Sequence, residues 1–531
     1  MNLNPLVLPA HRSRWAVSWL AAALVGALGL LPASLSVAQN LPPATAGTGL
    51  VSGGLPGLGD VQGMSIAAER RLGDSIARSI YRDPDYLDDP VLGDYLQAIW
   101  QPLLAAAQAR GDVPPELSER LAWELMISRD RRVNAFALPG GYLGVHLGLI
   151  GATDNAAELG SVLAHELSHV SQRHIARLVA RQDRLAPWMM GAMILSALAV
   201  RANTEVASAA MLGSQAVAAQ TQLNFSRDME READRVGFGV LTSAGFDGQG
   251  FVDMFDKLQQ ASRLSDDGSF PYLRSHPLSS ERMADMRSRL PLETAPALRS
   301  TAPVLPELHA LMAARARVLA ENGPDRLSAW LQNGQGPQAV PGELYAAAWA
   351  AMRLGQPERA LDLAQRLRSQ VVPPARWVVD ALQLEVLLTA PPSTGPTATA
   401  RAASLAALRD QALASGGRSL TLLGVQAALA TGEPQRAAVR LQSWVVQHPR
   451  DALAWQTLAR AHQAQGHTLR AIRAEAESRV AQLDYAGAVE RFKAAQALPA
   501  AQRAADPMEL AIVDSRLRDV EVLLRESVAE E

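Results

Sequence analysis

The first apolar stretch of the chain is Trp15–Leu31, which follows the basic residues Arg12 and Arg14. Small residues end this stretch near Ala38, an arrangement typical of a secretory signal peptide that is cleaved after that residue. We therefore predict a signal peptide over residues 1–38 and export of the protein. The alternative is an uncleaved membrane anchor, since the stretch is close to the length that crosses a bilayer.

The pattern after the apolar stretch predicts a leader and then a folded domain. Residues 39–63 are rich in Pro, Gly, Ala and Thr without a repeating apolar pattern, which is typical of a flexible segment. Over residues 64–290 the apolar positions recur mainly at helical spacing, with extended segments at Trp123–Ile127 and Tyr142–Val145. The turn signal Pro139–Gly141 predicts a strand connection between them. We expect a helix-rich α+β domain with a small sheet.

A second Pro-containing segment, residues 291–306, predicts a linker to a C-terminal domain over residues 307–531. Ala, Leu, Arg and Gln at helical spacing dominate that domain, and Gly432 and Gly466 stand 34 residues apart. Each is followed by Ala five positions later, as is Gly355, and 34 residues is the period of a tetratricopeptide repeat. The pattern predicts an α-solenoid whose groove suits peptide or protein ligands. An ordinary helical bundle with accidental spacing is the alternative.

Composition narrows the possible functions. A chain of 531 residues is long enough for two or three folded units. Its net charge of −3 and pI near 6.4 do not provide the basic surface that nucleic-acid binding requires, so we expect no nucleic-acid partner. The absence of Cys excludes disulfides, thiol catalysis and a lipid-modified N-terminal Cys. Any metal ligand must come from other side chains.

Residues 165–169 form a His-Glu-x-x-His motif that follows a predicted helix N-cap at Asn155. Four residues make just over one helical turn, so His165 and His169 project from one face and can bind a single Zn²⁺. Glu166 then lies beside a zinc-activated water and can act as the catalytic base of a peptidase. Two surface histidines on an ordinary helix are the alternative.

A catalytic zinc usually takes a third protein ligand, and the acidic segment 226–234 can supply it. On a helix Glu230 and Asp234 share a face, so Glu230 can bind the metal while Asp234 accepts a hydrogen bond from a ligating imidazole. Glu232 is expected to point elsewhere. Alone, this segment would predict a solvated helix face. We expect His174, on the same predicted helix as the motif, to lie near it by coincidence and not as a ligand.

Together, the two motifs resemble those of the zinc metallopeptidase family that includes the CAAX prenyl endopeptidases and a bacterial heat-shock protease. The resemblance to the family's periplasmic members extends from the signal peptide to the C-terminal repeats. Asn134–Tyr142 is similar to the family's segment before the active-site helix, where an edge strand pairs with the substrate backbone. The resemblance makes Asn134 a candidate substrate contact. From the residues alone, the segment would be an ordinary hairpin.

The segment Ser275–Leu278 resembles the His-Pro element of the periplasmic family members. The resemblance implies that His276 can take the fourth zinc position and hold the enzyme latent. It further implies that Arg282 contacts the substrate or the transition-state oxyanion. From the residues alone, a single His before Pro is more often a loop residue.

Residues 188–200 form an apolar segment between the two zinc motifs that is too short to cross a bilayer. Integral-membrane relatives span the membrane in this region, so the resemblance implies a remnant that covers the site or contacts a lipid surface peripherally. A buried core helix is the alternative.

These observations predict a mainly α protein with a helical, zincin-like metallopeptidase domain followed by the repeat solenoid. The resemblance implies a periplasmic endopeptidase with one Zn²⁺ per chain. It also implies that the clients are misfolded or stalled outer-membrane proteins and that a partner is the β-barrel assembly machinery of that membrane. The competing hypothesis is a non-proteolytic chaperone or scaffold with a structural or latent zinc site. Glu166 argues against it, because a structural zinc site has no use for a base.

Overall fold

Helices and one small sheet make up the computed structural model of the chain. The model describes residues 64–181, 226–264, 269–290, 303–321 and 323–528. The predicted signal peptide, the predicted leader and the apolar segment 188–200 lie outside the described residues. Within the described ranges, no helix combines the length and the apolar character needed to cross a bilayer.

The N-terminal part alternates helices with short strands. In chain order its elements are α1 (Ile66–Tyr81), β1 (Tyr86–Leu87), α2 (Pro90–Ala109), α3 (Pro115–Arg120), β2 (Glu124–Ser128), β3 (Ala135–Leu138), β4 (Tyr142–His146), α4 (Leu147–Ala152), α5 (Ala156–Ser171), α6 (His174–Arg181), α7 (Arg227–Ser243), α8 (Gln249–Leu264), α9 (Tyr272–Ser275) and α10 (Ser280–Ser288).

The four strands form one mixed sheet in the order β1-β2-β4-β3. β1 pairs antiparallel with β2, and β2 pairs parallel with β4. β3 pairs antiparallel with β4, with Ala135 opposite Val145 and Leu138 opposite Tyr142. β3 therefore lies at an edge of the sheet, and the predicted helix-rich α+β fold with a small edge sheet is confirmed.

The observed strands agree closely with the predicted extended segments. β4 begins at the predicted residue and runs one residue longer, whereas β2 begins one residue after the predicted Trp123. Trp123 has a φ of 50°, in the left-handed region, and cannot continue a strand. Gly140 and Gly141 have φ values of 76° and 86° in the turn between β3 and β4. Glycine adopts such values without steric cost, which explains the turn signal in the sequence.

Helix α5 carries the His-Glu-x-x-His motif and packs against α2, α7, α8 and β3. It begins as predicted, with the Asn155 side chain accepting a hydrogen bond from the Glu158 amide at 2.9 Å. Gly237 of α7 faces this helix, and a Cβ atom at this position would lie 3.1 Å from the backbone of Ala164 and His165. The missing side chain lets α7 approach α5 closely.

Helices also make up the described C-terminal part, and helices that follow one another in the chain pack in pairs. In chain order they are α11 (Pro306–Ala320), α12 (Pro324–Asn333), α13 (Pro341–Arg353), α14 (Pro357–Gln370), α15 (Arg376–Thr389), α16 (Gly395–Leu413), α17 (Arg418–Ala430), α18 (Pro434–Gln447), α19 (Ala452–Ala464), α20 (Thr468–Ala481), α21 (Tyr485–Gln496), α22 (Ala500–Ala504) and α23 (Pro507–Val528). Gly355, Gly432 and Gly466 occupy turns between paired helices, with φ values of 70°, 77° and 75°. The predicted solenoid of helix pairs is confirmed.

A buried ionic cluster joins the helix pairs to the N-terminal part. Arg315 of α11, with only 3% of its side chain exposed, lies 2.7 Å from Asp89 before α2 and 2.6 Å from Glu385 of α15. Its guanidinium also donates to the Tyr345 hydroxyl at 2.8 Å. A continuous cluster of buried apolar residues extends around it from Leu87 to Ala427. The predicted domain limits stay a prediction.

We expect Arg315→Ala to destabilise the chain strongly, because it leaves Asp89 and Glu385 without their buried cation. Removing one partner of a buried ion pair costs about 3 kcal/mol or more. Arg326→Ala is the matched control, because Arg326 is 66% exposed where it pairs with Glu321 at 3.1 Å. Denaturant titrations of both variants would measure the difference. Equal transition midpoints for the two variants would show that the cluster contributes no stability.

Candidate metal centre

Four buried side chains converge between α5, α7 and the segment after α9: His165, His169, Glu230 and His276. Each offers one ligand atom, and these atoms lie within 4.8 Å of one another. The Nε2 atoms of His165 and His169 are 3.0 Å apart. The Glu230 carboxylate lies 3.5 Å from the first of these nitrogens and 3.6 Å from the second. His276 Nδ1 is 3.3 Å from His165 Nε2 and 3.1 Å from Glu230 Oε1.

These separations match the geometry of a zinc site. Zinc binds imidazole nitrogen and carboxylate oxygen at about 2.0 to 2.1 Å in tetrahedral sites, which places neighbouring ligand atoms about 3.3 Å apart. Five of the six separations between the four side chains lie between 3.0 and 3.6 Å, close to that value. The donor set therefore fits one tetrahedral zinc ion.

The protonation states of the group also suit a metal. Burial would raise the pKa of Glu230, but His276 and His165 hold it well below its usual value, so the side chain is a carboxylate. Burial and the neighbouring His165 lower the pKa of His169, which is therefore neutral. Burial would lower the pKa of His165, but the carboxylates of Asp234 and Glu230 raise it to about 9. A bound cation would compete with that proton, since metal ligands bind in their deprotonated form.

Asp234 and Arg282 surround the predicted ligands. Asp234 Oδ1 lies 3.0 Å from Nδ1 of His165, the position from which it can orient the imidazole. Arg282 donates two hydrogen bonds to Asp234, at 2.6 and 2.8 Å, and lies 2.9 Å from Glu230. A third donation reaches the Pro277 carbonyl at 2.8 Å. Arg282 thus pairs with both Glu230 and Asp234, and its predicted contact with substrate or oxyanion stays a prediction.

Glu166, the predicted base, is fully buried next to the edge strand. Its Oε2 accepts a hydrogen bond from the backbone amide of Ala137 on β3 at 2.8 Å. Its Oε1 lies 3.4 Å from Nε2 of His276. His276 therefore has one ring nitrogen beside the ligand cluster and the other beside the base.

The aromatic ring of Tyr272 stacks on His276, with centroids 4.6 Å apart and planes at 29°. Burial and the nearby Glu166 and Glu230 raise the pKa of Tyr272 well above its usual value, so its hydroxyl is neutral. Sequence analysis did not single out this residue, because a tyrosine four positions before a histidine carries no recognisable pattern.

Asn134, the predicted substrate contact, precedes β3 and is 1% exposed. Neither polar atom of its side chain has a hydrogen-bond partner among the described residues. A buried amide without partners costs free energy unless a ligand satisfies it, which is consistent with a role in binding.

The expectation that His174 lies on the helix of the motif was wrong. That helix ends at Ser171, because Arg173 has a left-handed φ of 53°, and His174 begins the new helix α6. The Arg173 side chain secures this break by donating to Glu69 at 2.9 Å. The expectation that His174 is not a ligand agrees with the ligand group, which does not include it, although its Nδ1 lies 2.9 Å from Nδ1 of His169.

Comparison with known proteins agrees with this geometry. Residues 94–290 match the model of Peptidase family M48. The beta-barrel assembly-enhancing protease of Yersinia pestis is 31% identical over 435 residues, which cover 80% of this chain and 83% of that protein. A putative beta-barrel assembly-enhancing protease of Vibrio cholerae is 36% identical over 250 residues, 46% of this chain and half of that protein.

A more distant relative shares a smaller region. The mitochondrial metalloendopeptidase OMA1 of Arabidopsis thaliana is 31% identical over 164 residues, which cover 31% of each chain. The extensive match to the Yersinia protein and the buried His-His-Glu cluster lead to one conclusion: the chain belongs to peptidase family M48 and is a zinc metallopeptidase of the His-Glu-x-x-His type.

Proposed function

We propose that this protein is a periplasmic zinc endopeptidase that degrades misfolded or stalled outer-membrane proteins and assists their assembly through its helix pairs. The observation that carries the proposal is the convergence of His165, His169 and Glu230 at zinc-ligand spacing next to the buried base Glu166. The names of two relatives, which refer to β-barrel assembly, support the choice of clients and of the assembly machinery as a partner.

The residues around the ligand cluster would have separate roles in peptide hydrolysis. One zinc per chain would supply Lewis acidity toward water and the scissile carbonyl. Glu166 takes the proton of the attacking water and returns it to the leaving amine. The Ala137 amide holds the Glu166 carboxylate in place at 2.8 Å. The free side of β3 offers backbone groups to an extended substrate, which would add a strand to the sheet.

His276 would keep the catalytic site in an inactive, latent state. Its Nδ1 lies at ligand spacing from His165 and Glu230, and its Nε2 lies 3.4 Å from Glu166. A histidine in this position excludes the reacting water and also contacts the base that would activate it. Activation then requires the segment that carries His276 to move away.

The helix pairs would capture clients. A groove of about 770 Å³ lies along α19 and α20 and extends to α21. Three arginines line it, Arg460, Arg479 and Arg491, together with one acidic residue, Glu475. Such a surface favours an extended, acidic segment of an unfolded client.

The alternative function is a chaperone or scaffold in which only the helix pairs act and zinc is structural. The two hypotheses differ in what they expect of the base. A scaffold has no use for Glu166, whereas a peptidase loses its activity without it.

We expect Glu166→Gln to lower the rate of proteolysis about 1,000-fold, because the amide cannot accept the proton of the attacking water. The variant should still bind one zinc and its clients. The assay is cleavage of an unfolded outer-membrane β-barrel protein by the mature chain, with zinc content measured on the same sample. Glu281→Gln, which changes a glutamate that is 69% exposed, is the matched control. Cleavage at the wild-type rate by Glu166→Gln would refute the proposed mechanism.

We expect His276→Ala to cleave about tenfold faster than wild type, because the latent state reduces the competent fraction of the enzyme. The matched control is His467→Ala, which removes an exposed histidine outside the cluster. The measurement is the initial rate in the same assay, normalised to zinc content. A fully loaded variant that cuts no faster than wild type would show that His276 is not a latch.

We expect Arg460→Glu to weaken capture of the unfolded client about fivefold, because one charge in the groove is reversed. Hydrolysis of a short peptide should not change, since Arg460 lies outside the ligand cluster. Arg518→Glu makes the same charge change at an exposed position of α23 and serves as the control. Binding of the client to the Glu166→Gln background, followed by fluorescence anisotropy, is the measurement. An equal loss in both variants would reject the groove as the capture surface.

A further inference from the structure

The contact between His169 and His174 has no role in the proposed mechanism of peptide hydrolysis. The two Nδ1 atoms are 2.9 Å apart, and both histidines are fully buried. On its other side, His174 Nε2 lies 3.0 Å from Glu232 Oε2 on α7. The same oxygen accepts a hydrogen bond from Arg177 of α6 at 2.9 Å. A chain of polar contacts thus leads from the ligand cluster to a partly exposed carboxylate.

The hydrogen-bonding rules for imidazole determine which atom donates and which accepts in each of these contacts. Nε2 of His169 faces the cluster, so it must be unprotonated to bind zinc, and the ring proton then resides on Nδ1. That proton can be donated to His174 only if Nδ1 of His174 is an acceptor. The proton of neutral His174 must then reside on its Nε2, which donates to the carboxylate of Glu232. The same carboxylate is also paired with Arg177, 2.9 Å away.

We infer that His174 and Glu232 are positioning residues that fix the ring orientation and tautomer of the zinc ligand His169. Outer hydrogen-bond partners of this kind orient ligating histidines and strengthen metal binding. The two ligating histidines thus have different partners, Asp234 for His165 and the His174–Glu232 pair for His169. The inference rests on the proposed function in one respect, the ligation of zinc by His169.

The break between α5 and α6 makes this arrangement possible. On an uninterrupted helix, a residue five positions after His169 would be rotated by about 140° from it and would face away. The left-handed φ of Arg173 turns the chain so that the first residue of α6 returns to the ring of His169. The break between α5 and α6 therefore places the ring of His174 where it can accept a hydrogen bond from the ring of His169.

The test compares two substitutions of His174 that differ in one property. His174→Asn keeps a hydrogen-bond acceptor near the position of Nδ1, whereas His174→Leu keeps comparable volume without any acceptor. We expect the zinc affinity of the Leu variant to fall about 10- to 100-fold and that of the Asn variant to fall by less than about threefold. Competition with a chromogenic zinc chelator measures both constants on the full mature chain.

A second pair of variants tests the other end of the chain of contacts. Glu232→Ala should weaken zinc binding by a smaller factor than His174→Leu. Glu232→Gln should bind zinc more tightly than Glu232→Ala, because the amide oxygen of Gln can accept a hydrogen bond from Nε2 of His174. Glu281→Ala is the matched control, since Glu281 is an exposed glutamate that pairs with Arg231 and makes no contact with His174. Its zinc affinity should equal that of wild type.

The visible spectrum of the cobalt-substituted protein gives a readout that a purely structural role would not change. Loss of the acceptor should alter the d–d bands of the Leu variant and leave those of the Asn variant close to wild type. Equal zinc affinities for the Leu, Asn and wild-type proteins would overturn the inference, and so would equal losses in both variants. A wild-type chain that binds no zinc would instead overturn the proposed function itself.

Discussion

Two carboxylates one turn apart on α7, Glu230 and Asp234, are buried against the histidines of α5, and the surrounding structure depends on this arrangement. Buried charges are stable only when they are paired and hydrogen-bonded. Arg282 supplies the main counter-charge with three contacts at 2.6 to 2.9 Å. Because Arg282 lies on α10, the carboxylates of α7 hold that helix, and the loop before it, over the site.

This arrangement links the proposed latch to the ligands. Arg282 also donates to the carbonyl of Pro277, the residue after His276. The guanidinium that neutralises Glu230 therefore anchors the loop that carries His276. Displacement of His276 would remove its contact with Glu230, but Arg282 would still pair with both Glu230 and Asp234. The stacked ring of Tyr272 on the other side limits the directions in which the imidazole can leave.

Much of the site could be predicted because its ligands follow local rules. His165, His169 and Glu166 are placed by helical periodicity, and Asn155 marks the helix start by a capping pattern that the structure repeats. Glu230 could be predicted only as a helical partner of Asp234, and the structure shows that both side chains reach the histidines of the motif.

Other features depend on contacts that no local pattern encodes. The left-handed conformation of Arg173 is stabilised by Glu69, which lies 104 positions earlier in the chain. A prediction from helical periodicity alone therefore made the motif helix too long and placed His174 on it, whereas His174 begins the next helix. The short helix α9, which carries Tyr272 and precedes His276, is held against the segment before β3 by a hydrogen bond from the Tyr272 amide to the Val133 carbonyl at 3.4 Å. Such tertiary contacts override local propensity.

The absence of a side chain at Gly237 has a consequence for metal chemistry. A methyl group there would stand 3.1 Å from the backbone of α5, and relief of that crowding would separate the two helices by a few tenths of an ångström. Zinc–ligand distances tolerate deviations of only about 0.2 Å. The separation between the ligands on α5 and the ligand on α7 is therefore set partly by Gly237, a residue that has no side chain and packs only against the helix backbone.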